Sequence, residues 1–106
     1  MNVQFKKGVL ELLVLSLLSR KDMYGYEISD LLAGEVDISD GTVYPILRKL
    51  KSLGMLTTYL SENSGGPPRK YYKITKTGQT EFESIKHDWE IFSKSVNLIL
   101  GGKNFE

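Results

Sequence analysis

A chain of 106 residues, 41% of them hydrophobic, fits one domain with a modest core and leaves little material for a deep catalytic cavity. It has no cysteine, which rules out a disulfide framework, a thiolate nucleophile and a cysteine-based zinc site and suits a reducing compartment, the cytoplasm by default. Its single histidine, His87, rules out a multi-histidine metal site, so neither metal nor cofactor is expected. The net charge is only +1, but residues 41–76 hold Arg48, Lys49, Lys51, Arg69, Lys70, Lys73 and Lys76 against Glu62 alone, a local +6 that leaves −5 for the remainder. Such segregation can raise one positive face on a nearly neutral protein, and the local field is what meets phosphates.

At the amino terminus Lys6 and Lys7 precede GVLELLVLSLLS, a pattern that imitates a secretory leader. Glu11 interrupts the apolar run, and Arg20, Lys21 and Asp22 stand where a small-residue cleavage site would be. The run is also shorter than the ~20 apolar residues needed to span a bilayer, so no membrane partner is expected and residues 9–18 are read as a buried helix. Asp22 is expected to cap a second, short helix through YGYEISDLLA, with Tyr24, Ile28, Leu31 and Leu32 on one side and a stop at Gly34. After a brief connection at 35–38, a third helix carries Val43, Ile46, Leu47, Leu50 and Leu53 inward and ends at Gly54. Its cap is Ser39 or Thr42. A start at Ser39 puts Pro45 beyond the first turn, where it removes a backbone bond, whereas a start at Thr42 makes it harmless.

MLTTYLS and RKYYKI each alternate apolar and polar residues, and the ENSGGPP between them can continue neither run, which predicts a hairpin with an exposed tip. Tyr71 and Tyr72 must point to opposite faces of their strand, so at least one belongs to the core. Thr75 or Thr77 caps a last helix on which Phe82, Ile85, Trp89, Phe92, Val96 and Ile99 step by 3, 4, 3, 4 and 3 residues. This is a heptad seam, and pairing between two copies of the chain is its economical explanation. The plainer alternative is that the stripe packs on its own small domain.

Facing away from its apolar side, the third helix offers Ser39, Asp40, Thr42, Tyr44, Arg48, Lys49 and Ser52. Hydroxyls near the start and cations further along are what groove recognition uses. Alone, such a face would read as merely solvated. The hairpin adds a second basic element: Gly66 and its neighbours let backbone approach a phosphate, and Arg69 and Lys70 follow at its base, suited to minor-groove or backbone contact. Enzyme chemistry fares poorly. Ser84, His87 and Asp88 lie together on a predicted helix but come with no oxyanion site, and GGPPRK lacks the spacing of a phosphate-binding loop.

YGYEI, GTVYPILRKLKSLGML and PPRKYYKIT with Gly78 and Gln79 following together resemble the PadR family of bacterial winged-helix transcriptional regulators, and the resemblance covers nearly the whole chain. Tyr24 to Ile28 match the family's helix-2 signature. Gly41 to Leu47, with Leu50 and Gly54, match its recognition helix, Arg69 to Tyr72 its wing, and Thr75 with Gly78 the entry to its last helix. The resemblance implies a homodimeric repressor in which Thr42, Tyr44 and Arg48 approach DNA and the carboxy-terminal helix dimerises. The short tail is similar to the family's small subgroup, some members of which admit flat aromatic drugs between subunits against a Trp on this helix. Trp89 stands in the comparable place.

The expectation is therefore a mainly α fold with a small β-hairpin: a winged helix-turn-helix domain over residues 1–76 and a dimerisation helix and tail over residues 77–106. The expected partners are double-stranded operator DNA, a second copy of the chain and a small planar hydrophobic effector. DNA contacts are expected from Ser39, Thr42, Tyr44, Arg48, Lys49, Gly66, Arg69 and Lys70, with Lys6 or Lys7 assisting. The alternative is a winged-helix protein-interaction module without sequence-specific DNA binding.

Overall fold

The structure, a computed structural model, describes residues 3–62 and 65–102, and side chains from Val9 onward; the side chains of Lys6 and Lys7 lie outside the described set. In chain order the elements are α1 (Val3–Arg20), β1 (Met23–Tyr24), α2 (Gly25–Val36), α3 (Asp40–Ser52), β2 (Leu56–Ser61), β3 (Arg69–Ile74) and α4 (Lys76–Leu100). The strands form one antiparallel sheet in the order β1-β3-β2. This is a winged helix with the expected hairpin and one additional short strand.

Helix α1 is covered on more than one side, as its apolar density requires: Leu10, Val14, Leu15 and Leu18 are buried, while Leu13 and Leu17 pack at the margin of the same core. Asp22 does not cap the next helix. The chain stays extended through Met23 and Tyr24, which pair with Tyr72 and Tyr71 of β3, and the Asp22 carboxylate instead accepts a 2.6 Å hydrogen bond from the Tyr59 hydroxyl. Helix α2 also runs past Gly34 to Val36, because an interior glycine costs a helix only about 1 kcal/mol relative to alanine. It ends at Asp37, whose φ of 54° lets its N–H reach the Ala33 carbonyl while the Ile38 N–H reaches that of Leu32. A short polar side chain tolerates this left-handed turn, and Ile38 is thereby carried into the core. Ile28 and Leu32 face inward as expected, whereas Leu31 is exposed.

Ser39 is the N-cap of α3, so Pro45 lies inside the helix. The Gly41 carbonyl consequently lacks its usual helical donor. Gly41 and Pro45 are both exposed, which lets water take that place. Val43, Leu47 and Leu50 are buried and Ile46 half-buried; Leu53 is exposed because it sits at the carboxy-terminal cap, where the chain turns out through Gly54 at φ 76°.

Strands β2 and β3 pair from Leu56↔Ile74 to Ser61↔Arg69. Tyr72 is buried, and Tyr71 on the opposite face stacks on Tyr59 at 5.6 Å and meets Tyr24 at 5.7 Å, so one tyrosine row crosses all three strands. Thr75 then caps α4, accepting from the Gly78 N–H at 3.0 Å and donating to the Gly54 carbonyl at 2.6 Å. Gly78 is required by this junction, since a Cβ there would lie 2.1 Å from the Met55 carbonyl oxygen. Helix α4 has 25 residues, about 37 Å at 1.5 Å per residue, in a molecule 64 × 29 × 22 Å. Phe82 and Ile85 in its first half join the core, and most of its side chains from Trp89 to Leu100 are exposed.

Candidate nucleic-acid interface

The orientation of α3 is set by more than its apolar side. Ser29, buried in α2, donates its hydroxyl proton to the carboxylate of Asp40, the first residue of α3. A negative charge at that end also suits the helix dipole. One turn on, the Tyr44 ring lies against Gly25, where an added Cβ would stand 2.9 Å from its Cε1. Burial, with Asp40 and Tyr72 nearby, raises the Tyr44 pKa, so the phenol stays neutral and able to donate and accept.

Two flanks of α3 are thereby distinguished. On the wing side stand Tyr44 and Arg48, next to Tyr72 of β3, whose pKa is raised by burial and partly drawn back by the Arg48 charge. The Lys70 ammonium lies 5.7 Å from the centroid of the same Tyr72 ring. Arg48 on α3, through its charge, and Lys70 on β3, from above the ring, thus both act on one side chain. On the other flank Gly41, Thr42, Pro45, Ile46 and Lys49 line a groove of about 330 Å³ shared with Glu11 of α1. Lys49 Nζ is 2.5 Å from Glu11 Oε1. The Ser39 and Thr42 hydroxyl oxygens lie 3.5 Å apart at the exposed start of the helix.

The two wing cations are not brought together. Consecutive residues of a strand face opposite ways, and the Arg69 guanidinium turns to the outer face, 4.6 Å above the Tyr24 ring. Gly66 is exposed in the wing tip. Sequence reasoning missed Ser29, Tyr24 and Glu11, each of which holds a candidate residue in place. For Glu11 the clue was present, a carboxylate alone within an apolar run.

The heptad seam divides. Phe82 is buried in the chain's own core and Ile85 half-buried beside it, whereas Trp89, Phe92 and Ile99 are exposed. Between α1 and α4 runs a second groove, of about 240 Å³, whose walls include Leu12, Ile85, Trp89 and Phe92 with the carboxylates of Glu11 and Asp88. Ser84, His87 and Asp88 are all exposed on α4. Among the described residues no cluster of His, Cys, Asp or Glu suits a metal ion, and no helix is long and apolar enough to cross a membrane.

The model of the PadR-like family of transcriptional regulators matches residues 14–84. A PadR-like transcriptional regulator of Bacillus cereus is 37% identical and superposes with a TM-score of 0.87, over 94% of this chain and 99% of that one. A PadR family transcription regulator of Clostridium difficile is 33% identical, with a TM-score of 0.79 over 87% and 98% of the two chains. The transcriptional regulator YqjI of Escherichia coli is 31% identical over 96 residues, which are 87% of this chain but 44% of that protein, so the chain spans less than half its length. The match to more than half of the sequence, together with a shared fold, establishes that the chain belongs to the PadR-like family of transcriptional regulators, which act by binding DNA.

Proposed function

We propose that the chain is a homodimeric repressor whose two copies present α3 to successive major grooves of double-stranded operator DNA. The convergence of Arg48 and Lys70 on Tyr72 carries this reading, because it joins the helix and the wing into one positive surface. Ser39, Thr42 and Tyr44 stand toward the base edges, Arg48 and Lys70 toward phosphates, with Lys49 on the far flank of the helix. Gly66 lets the wing backbone approach the duplex, and Arg69 contacts it from the outer face. Residues 1–76 form the reading unit and residues 77–106 the pairing unit. Trp89, Phe92, Val96 and Ile99, with Ile85 at the edge, form the pairing surface, and two-fold symmetry sets the recognition helices ~34 to 36 Å apart, or a multiple, on a roughly palindromic site. The groove beside Trp89 supports a small planar hydrophobic effector that enters between the copies and releases the DNA. Such a regulator works in the cytoplasm.

Footprinting on genomic fragments, with and without planar hydrophobic compounds, locates the operator and tests for the effector. On that duplex, Arg48→Ala with Lys70→Ala is expected to flatten the dependence of log K on log salt by about 1.8, at about 0.9 per phosphate contact. An unchanged slope removes both residues from the interface. Absence of binding even at low salt makes the protein-interaction module the better reading.

A further inference from the structure

Glu11 is the one acidic residue in the apolar stretch of α1, and its side chain, 36% exposed, reaches the surface rather than the core. It lies 2.5 Å from the Lys49 ammonium and walls two grooves at once, the one beside Thr42 and Pro45 on α3 and the one beside Trp89 and Phe92 on α4. We infer that Glu11 is a positioning residue for DNA binding, which neutralises Lys49 and withholds it from phosphate. The inference rests on the proposal that α3 reads DNA.

An ammonium paired with a carboxylate at this distance is a neutral unit, and a neutral unit releases no counterion from DNA. Lys49 must leave Glu11 to gain a phosphate. The Lys49 side chain is 60% exposed on a flexible four-carbon stem, and exposed pairs of this kind are worth up to about 1 kcal/mol, so Glu11 withholds Lys49 by about fivefold at most. The Lys70 ammonium lies over the Tyr72 ring and the Arg48 charge is felt at the same phenol, so one flank of α3 is charged in the free protein and the other is held in reserve. Because Glu11 also borders the α1–α4 groove, any shift of α4 against α1 moves the wall that holds Lys49.

The test is a four-protein comparison of wild type, Glu11→Gln, Lys49→Ala and the double variant, binding the footprinted duplex across a salt series. Gln keeps the size and polarity of the side chain and loses only the charge. Lys49→Ala alone, which bares the Glu11 carboxylate, is expected to weaken binding, Glu11→Gln to tighten it and steepen the slope by about 0.9, and the double variant to return to the wild-type slope. The advantage of Glu11→Gln over wild type then shrinks about three- to fourfold between about 50 and 200 mM salt. A flatter slope for the double variant than for wild type shows that Lys49 already meets phosphate and overturns the inference. So does an unaltered Glu11→Gln, or a gain that persists without Lys49 and therefore reports general charge. Should Glu11→Gln fail to fold, Glu11→Ala, alone and with Lys49→Ala, takes its place in the same comparison. Wild-type binding with normal sensitivity to Arg48 and Lys70 keeps the DNA reading intact in each of these cases, whereas no wild-type binding sinks that reading first.

Discussion

Phe82 and Phe92 belong to one stripe on one helix, yet Phe82 is 6% exposed and Phe92 63%. The difference lies in what stands beside them. Phe82 and Ile85 meet the core, while from Trp89 onward most side chains of the helix are exposed. Heptad spacing thus announces that a surface will be covered and is silent about the cover. In α4 the same period is satisfied within the protomer at one end and left open at the other.

The largest expected effect falls on the open end. Phe92→Glu with Ile99→Glu removes two large apolar side chains per copy from the proposed pairing surface. At about 1.5–3 kcal/mol per buried side chain this exceeds a hundredfold in the dissociation constant. Sedimentation equilibrium is expected to give monomers that keep wild-type far-ultraviolet circular dichroism. A surviving dimer would place the pairing surface elsewhere. Phe82→Ala is the counterpart at the covered end, with a cost of about 3 kcal/mol or more because it opens a cavity in the core. Urea unfolding should show this loss even in the Phe92→Glu, Ile99→Glu background, at every protein concentration. A loss confined to the dimeric protein would show that Phe82 acts through pairing and erase the contrast between the two ends.

How much of this was legible follows from where periodicity applies. The three longer helices and both hairpin strands carry enough residues to show a period of 3.6 or 2, and all appear in the structure near their expected places. β1 has two residues, too few for any period, and owes its strand geometry to pairing with Tyr71 and Tyr72. Gly34 was read as a stop by local propensity, but Ile28 and Leu32 anchor α2 through that position. Within the site, the divergence of Arg69 from Lys70 was legible, since the alternation that separates Tyr71 from Tyr72 applies equally to them. The pairings of Glu11 with Lys49 and of Ser29 with Asp40 were not, because each joins two elements whose approach only the assembled core defines.

Ser29 gives a smaller effect that sharpens the contrast from within the domain. Its hydroxyl ties α2 to the first residue of α3, so Ser29→Ala is expected to lower stability by about 1 kcal/mol. The Asp40 carboxylate is exposed and regains water, which keeps the loss modest. DNA affinity should fall with an unchanged salt slope, as expected when a helix is less well aimed and no phosphate contact is lost. A double-mutant cycle with Asp40→Ala isolates the pair, and fully additive losses would show that the two residues do not act together.

The smallest effect is a change with pH at the sheet's outer face. Tyr59 donates to Asp22, and because that bond needs the protonated phenol, with lesser contributions from desolvation and the charges of Asp22 and Tyr71, its pKa is pushed up to about 12. The folded state therefore keeps this proton at pH values where the unfolded chain, with a tyrosine pKa of about 10, has lost it. The contribution is fully present below about pH 10 and fades as pH rises toward about 12. Tyr59→Phe removes the bond at every pH and with it this part of the alkaline decline. Urea midpoints for wild type and Tyr59→Phe should differ at neutral pH and converge across that window. Equal declines for the two proteins would mean that Asp22 and Tyr59 do not hold each other in solution. The distal half of α4 carries no tyrosine, so the same convergence is expected in the Phe92→Glu, Ile99→Glu monomer. Its loss there would tie this corner of the sheet to pairing and join the two regions that the exposures of Phe82 and Phe92 set apart.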